Sequence, residues 1–193
     1  MQSAPWQPIR DFWFLPEGDP GHLQSRPEWF RKDPAFDQAI RERFAGRIDE
    51  ALAGGLRDWD ADVRGALSRI LLLDQFTRNV HRDTPAAFAG DPLALAAARA
   101  LVDAGRDRAL VPVERWFVYL PFEHAEDLAL QQRSIELFDA LAKEPGMDGI
   151  TEYAVRHRDI VARFGRFPHR NAILGRASTP EEIEFLKLPG SGF

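Results

Sequence analysis

The sequence predicts an all-α domain, a stack of antiparallel helix pairs, and three observations carry that prediction. Apolar residues recur at spacings of three and four, not two. Runs rich in Val, Ile and Thr between hairpin turns are missing. Proline and glycine fall where helices begin and end: Asp33-Pro34, Thr84-Pro85, Asp91-Pro92 and Thr179-Pro180 each set a capping side chain before a residue that needs no N–H in the first turn. At 193 residues and 45% hydrophobic content the chain reads as one domain spanning 1–193, large enough to bury a conventional core.

Taken in order, helices are expected over 8–15, 34–53, 60–80, 92–104, 113–120, 124–143, 149–164 and 180–187. Gly54-Gly55, Gly105, Pro145-Gly146 and Gly165 supply the stops. Thr179 followed by Glu182 forms a capping box for the last helix. Residues 16–32 make the only longer loop, which Trp29 and Phe30 are expected to pin to the core. No strict repeat near 34 residues is visible.

Composition excludes several function classes. With no cysteine there is no disulfide framework, thiolate nucleophile, zinc finger or iron–sulfur cluster. The longest aliphatic run, Ile70 to Leu73, is far too short to span a membrane, and Met1 to Phe14 lack a basic start followed by an apolar run. A cytoplasmic, unprocessed chain without membrane association is expected. Five histidines without an HExxH-like spacing make a zinc enzyme an unfavourable reading, so no metal and no cofactor are assigned. No GxSxG and no glycine-rich phosphate loop are present. A formal charge of -5 repels polyanions, so a nucleic-acid partner is not expected.

The informative residues are polar ones on apolar faces. In the helix over 60–80 the stripe Leu67, Ile70, Leu71 runs on into Asp74 and Arg78, a carboxylate and a guanidinium one turn apart that are expected to meet. Gln75 and Asn79 form a second polar pair one position round. In the helix over 149–164, His157 shares a stripe with Ile160, Val161 and Phe164. Between Arg156 and Arg176 there are six arginines, no lysine and one acid, Asp159, which would pair with Arg163 if the stretch were only a solvated surface. The segment Phe164 to Asn171 (FGRFPHRN) reads as an irregular turn held by its aromatics so that Arg166, His169 and Arg170 point together. Pro121 to Asp127 (PFEHAED) forms a third cluster, whose acids would favour a helix N-terminus.

The segments LLLDQFTRNVHR (Leu71 to Arg82), YLPFEHAED (Tyr119 to Asp127) and RFGRFPHRNAILGRASTPEEIEFL (Arg163 to Leu186) resemble the bacterial family catalogued as domain of unknown function 924. The opening IRDFWF (Ile9 to Phe14) is similar as well. The resemblance implies an all-α fold like tetratricopeptide-repeat proteins and brings no established activity, substrate or cofactor. It rests on Asp74, Gln75, Arg78, Asn79, Glu123, His124, Glu126, Asp127, His157, Arg163, Arg166, His169, Arg170 and Asn171. Family members commonly carry a serine at the position of Ala125.

Two functional readings follow, from different classes. In the first, Arg78, Arg163, Arg166, His169 and Arg170 hold an anionic small molecule in an interior pocket, oriented by Asp74, Asn79 and Asn171. A variant of it is acid/base catalysis with His124 or His157 as base beside Glu123 or Asp74. The second reading is an interaction scaffold whose stacked helices present a groove to a peptide or protein partner. Five Trp and 14 Phe leave aromatic surface enough for a homodimer.

Overall fold

A computed structural model describes residues 3–192. The described residues are helical throughout, with no strand among them. They group into two units, residues 3–82 with 86–121 and residues 83–85 with 122–192.

The first unit begins with α1 (Gln7–Phe14) and α2 (Pro34–Leu52). Asp33 caps α2 by accepting from the N–H groups of Ala35 and Phe36, with Pro34 at the first helical position. A long rod follows, made of α3 (Val63–Ile70), a wider π turn over Leu71–Phe76 and α4 (Thr77–Val80). The rod starts later than the expected residue 60 because Asp62 caps it, while Asp60 lies in a preceding 3-10 turn. Then come α5 (Asp91–Asp103) and α6 (Pro112–Glu123), whose last two residues belong to the second unit. Asp91 is the first residue of α5 and not its cap; Gly90 holds the cap position, and the Asp91 carboxylate bonds to Arg78 instead.

Aromatic rings form the centre of this unit. Trp13 stacks on Trp29 at 5.9 Å and meets Phe117 edge-on at 5.4 Å, and Phe44 contacts Phe76 at 5.3 Å. The indole N–H of Trp29 donates to the Trp13 carbonyl, which ties the loop over 16–32 to α1. Trp29 therefore pins the loop as expected. Phe30 does not: it is 54% exposed and lies against Trp116 at the surface. Beneath α1 the guanidinium of Arg10 meets Glu114 at 2.7 Å, both buried.

All six residues of the π turn are buried, as are Gly65 to Ile70 of α3 before it. Gly90 packs directly on it, so close that a Cβ there would stand 2.1 Å from the Leu73 carbonyl oxygen. Glycine is required by that approach and not by its backbone angles.

In the second unit α7 (Leu128–Leu141) packs on α8 (Ile150–Phe164); Leu137, Phe138 and Leu141 of the one and Ile150, Ala154 and Val161 of the other are buried. Gly165 ends α8 with φ 71, the left-handed position that glycine takes without strain. A short turn over Pro168–Arg170 leads to α9 (Pro180–Leu186). The capping box expected there is formed: Thr179 Oγ1 accepts from Glu182 N and Glu182 accepts from Thr179 N. Phe164, Phe167 and Phe185 close a small core with Ile160 and Val161.

Candidate functional site

The expected helix over 124–143 starts instead at Leu128. Residues Glu123 to Asp127 form a tight turn in which Asp127, extended at φ -144 and ψ 123, caps α7 through Leu130 N. The preceding helix runs on past the expected residue 120, through Pro121 to Glu123. Glu123 thus ends one helix and Asp127 begins another, so the acids of this segment are not one helical turn apart on a shared face. The turn carries Glu123, His124 and Glu126, three of the residues on which the resemblance rests.

His157 on α8 comes to this turn. Its Nδ1 lies 2.8 Å from the Tyr153 carbonyl and 3.3 Å from Glu123 Oε1. A carbonyl only accepts, so Nδ1 carries the hydrogen and Nε2 is the acceptor of the neutral ring. Burial holds this imidazole down to about 3; the Tyr153 bond opposes the shift, while His124, Arg170 and His169 add to it. His124 stands 6.4 Å from the His157 ring, and Phe167 meets His157 edge-on at 5.5 Å. Phe167 also neighbours His169, at 5.7 Å. Burial and then the Arg170 charge hold His169 at about 4. The guanidinium of Arg170 sits 4.5 Å over the Phe167 ring and donates to the His124 carbonyl at 3.1 Å. Arg170 is buried, as are Glu123 and His157.

Around this centre runs a frame of ion pairs. Glu126 accepts two bonds from Arg176, at 2.6 and 2.9 Å, and a third from Phe167 N at 2.8 Å. Burial works against the Glu126 charge, but these donors win and its carboxyl is held below its ordinary range. Arg166 grips Glu182 through both of its oxygens, at 2.7 and 2.8 Å, and holds that carboxyl at about 2. Asn171 donates to Ser178 and Glu182 and accepts from Arg176, which uses both ends of its amide. Arg163 lies further out, 51% exposed on its side chain and paired with Glu181, not with Asp159, whose carboxylate takes Arg158. Arg166, His169 and Arg170 therefore do not converge on one point: Arg166 turns to Glu182, Arg170 to the His124 carbonyl.

The other candidates lie in the first unit. Asp74, in the π turn, is buried completely and sits 3.2 Å from Arg78, the pair expected from their spacing. Arg78 also makes two bonds to Asp91, at 2.8 and 3.1 Å. Burial opposes its charge, but Asp74 and Asp91 outweigh that and raise its pKa. Gln75 and Asn79 do not pair with each other: Gln75 donates to Asp74, while Asn79 donates to Asp37, which Arg82 grips as well. Each guanidinium of this cluster thus meets a carboxylate from another segment.

Two residues of the second unit's site escape the readings above. Gln131 is buried completely and donates to the carbonyls of Glu123 and Ala125; Arg176 holds Glu126. A signal for Gln131 was available, since Gln131, Ser134, Phe138 and Leu141 share one helical stripe. Among the described residues no group of three or more His, Asp or Glu side chains is placed to hold a metal ion. No helix is long and apolar enough to cross a membrane.

The family model described as bacterial protein of unknown function (DUF924) matches residues 9–190. The solved structure of a protein of unknown function, ATU0120 from Agrobacterium tumefaciens, is 42% identical, with a TM-score of 0.82 over 94% of this chain and 96% of that one. A search of curated proteins finds no match.

Proposed function

We propose a function from the site itself, because the chain belongs to the family of bacterial proteins of unknown function DUF924 and membership brings no activity with it. The reading is a binding site for an anionic small molecule in the second unit, centred on Arg170 with His124, His157 and His169. Arg163, Arg166 and Asn171 belong to its frame, since carboxylates or neighbouring side chains already engage them. Asp74, Arg78 and Asn79 have the same status in the first unit.

One observation carries this reading: the buried guanidinium of Arg170, whose charge also reaches Glu126, stands beside His157 and His169, two imidazoles held far below their ordinary range. Burying such groups costs several kcal/mol against an apolar core of the same volume. Shifted histidines clustered in one place are a mark of functional sites. A guanidinium suits a carboxylate or phosphate, which takes its charge and its forked N–H bonds; the single N–H of His157 is already given to the Tyr153 carbonyl. A base held at about 3 is weak near neutrality, so His157 serves better as a hydrogen-bonding group than as a proton acceptor, and binding is favoured over acid/base catalysis.

The test is a thermal-shift panel of inorganic phosphate, acetate and dicarboxylates. A ligand at a hundred times its Kd adds about 2.7 kcal/mol of stability. Arg170→Gln is expected to abolish the response and Arg163→Gln to keep it. No response to any anion, or an unchanged response in Arg170→Gln, ends the reading.

A second reading, a peptide scaffold, is favoured by a shallow groove along α7 and α8 lined by Leu128, Ala129, Gln132, Arg158, Asp159 and Ala162. Exposed Leu128 gives it an apolar foothold. Capture of a partner that Arg158→Glu abolishes and Arg163→Glu leaves intact would favour it over the first; capture that both variants leave intact would count against it.

A further inference from the structure

We infer that Gln131 is the positioning residue of the second unit's site, setting the turn that carries Glu123 and His124. The inference rests on the reading that this cluster is the functional site, but its geometry stands apart from any ligand.

Where α6 stops, its last carbonyls lose their intrahelical partners and must find others. Three consecutive carbonyls of the turn are met by side chains. Gln131 Nε2 donates to Glu123 O at 2.6 Å and to Ala125 O at 2.7 Å, and Arg170 donates to His124 O at 3.1 Å between them. A primary amide has two N–H groups, and here both go to the two ends of one turn. The amide orientation is fixed by that pairing, since the reverse would set Gln131 Oε1 against two carbonyl oxygens. Gln131 itself is rigid: it is buried completely, one turn into α7, and its N–H bonds to Asp127 O. The backbone of Glu123 is therefore anchored to α7, and the Glu123 carboxylate meets His157 of α8. A neutral side chain of this length with two donors is what the position requires: leucine offers none, glutamate faces two carbonyls with a third oxygen, and lysine adds a charge beside His124 and Arg170.

The consequence reaches the histidines. With the turn fixed, His157 stays buried against Glu123 and Phe167 and stays neutral; the titratable and charged groups facing it are His124, Arg170 and His169 from neighbouring segments, with Glu123 within 3.3 Å. A turn freed from Gln131 lets water reach this ring.

Gln131→Leu, examined by NMR of the imidazole nitrogens at pH 5, is the test, with Leu141→Val as a control that loosens the same helix pair away from the turn. The wild type is expected to show His157 neutral with hydrogen on Nδ1. In Gln131→Leu the His157 and His124 signals move, His157 becomes partly protonated, and any stabilisation by inorganic phosphate falls at least tenfold in apparent affinity. In Leu141→Val the imidazole signals stay in place. Identical imidazole signals in Gln131→Leu and wild type overturn the inference. Should Gln131→Leu not fold, both side-chain N–H protons of Gln131 in the wild type decide: strong protection from exchange supports the anchor, and rapid exchange of either overturns it. A wild type that ignores every anion while Gln131→Leu still shifts the imidazoles removes the binding reading and leaves the anchor standing.

Discussion

In the first unit the guanidinium of Arg78 lies 3.2 Å from Asp74 and 2.8 Å from Asp91, whereas in the second the guanidinium of Arg170 lies over a phenyl ring and donates to a backbone carbonyl. Both arginines are largely removed from water, and both come from segments on which the family resemblance rests. The first is neutralised by carboxylates and locks a π turn to α5. The second lies beside the strongly shifted imidazoles of His157 and His169, and its charge also reaches Glu126, which Arg176 grips. Buried charge matched by carboxylates reads as architecture. Buried charge beside imidazoles with strongly shifted titration reads as a site.

The contrast can be broken most forcefully at Gly90. A methyl group there would stand 2.1 Å from the Leu73 oxygen and 2.8 Å from its carbon, both backbone atoms that cannot step aside. Gly90→Ala is expected to cost at least about 3 kcal/mol in denaturant unfolding, or to prevent folding. A loss below about 1 kcal/mol would show that the π turn is not clamped as described.

Next comes Asp74→Ala, which removes one partner of a buried pair. Because Arg78 keeps Asp91, the loss belongs at the low end for such pairs, about 3 kcal/mol. Arg170→Gln should abolish the anion response and, because Arg176 still holds Glu126 by two bonds, should cost less stability than Asp74→Ala. If the two variants exchange these effects, the assignment of architecture and site is reversed.

The histidines give a pH signature that the first unit's ion pairs lack. His157 is held at about 3 and His169 at about 4, against 6.5 in an unfolded chain, so the unfolded state binds more protons between those values. Stability from this source is fully present above pH 6.5 and drains away as pH falls toward 3, at up to about 1.4 kcal/mol per pH unit for each ring. His157→Asn should flatten the slope of unfolding free energy between pH 6 and 4 by about half. An unchanged slope would mean that His157 titrates normally in the folded protein. Glu182 acts in a separate window: its carboxyl is held at about 2, so its contribution is present above pH 4.5 and is lost as pH falls through 2.

The smallest effect is expected at the surface. Arg163 and Glu181 are more than half exposed, so Arg163→Gln should change stability by less than about 0.5 kcal/mol. A larger loss would place Arg163 with the buried frame.

Much of this arrangement was legible in the chain. Asp33-Pro34 and Thr179-Pro180 marked helix starts because a capping side chain and a proline act within one turn. The interruption of two apolar stripes by Asp74 and His157 foretold their burial, since helical period fixes which residues share a face. The i,i+4 spacing foretold the Asp74 and Arg78 pair. Where helix boundaries were misread, at residues 60–62 and 121–127, a competing local signal won: Asp62 and Asp127 are the stronger caps, and Pro121 near a helix end does not stop it.

What the sequence determined by itself is what lies within about one turn: helix position, capping and the identity of the buried face. Only the tertiary structure decided the partner of each charge. Arg82 finds Asp37 across 45 residues and Arg176 finds Glu126 across 50, while Arg163 passes over the nearby Asp159 for Glu181. Local periodicity reaches four residues along a helix, whereas a guanidinium leaving water takes whichever carboxylate the packed helices bring within 3 Å. Gln131 shows the same limit. Its stripe could be read from the chain, but that its amide would span the two ends of the Glu123 turn depended on where α6 came to rest.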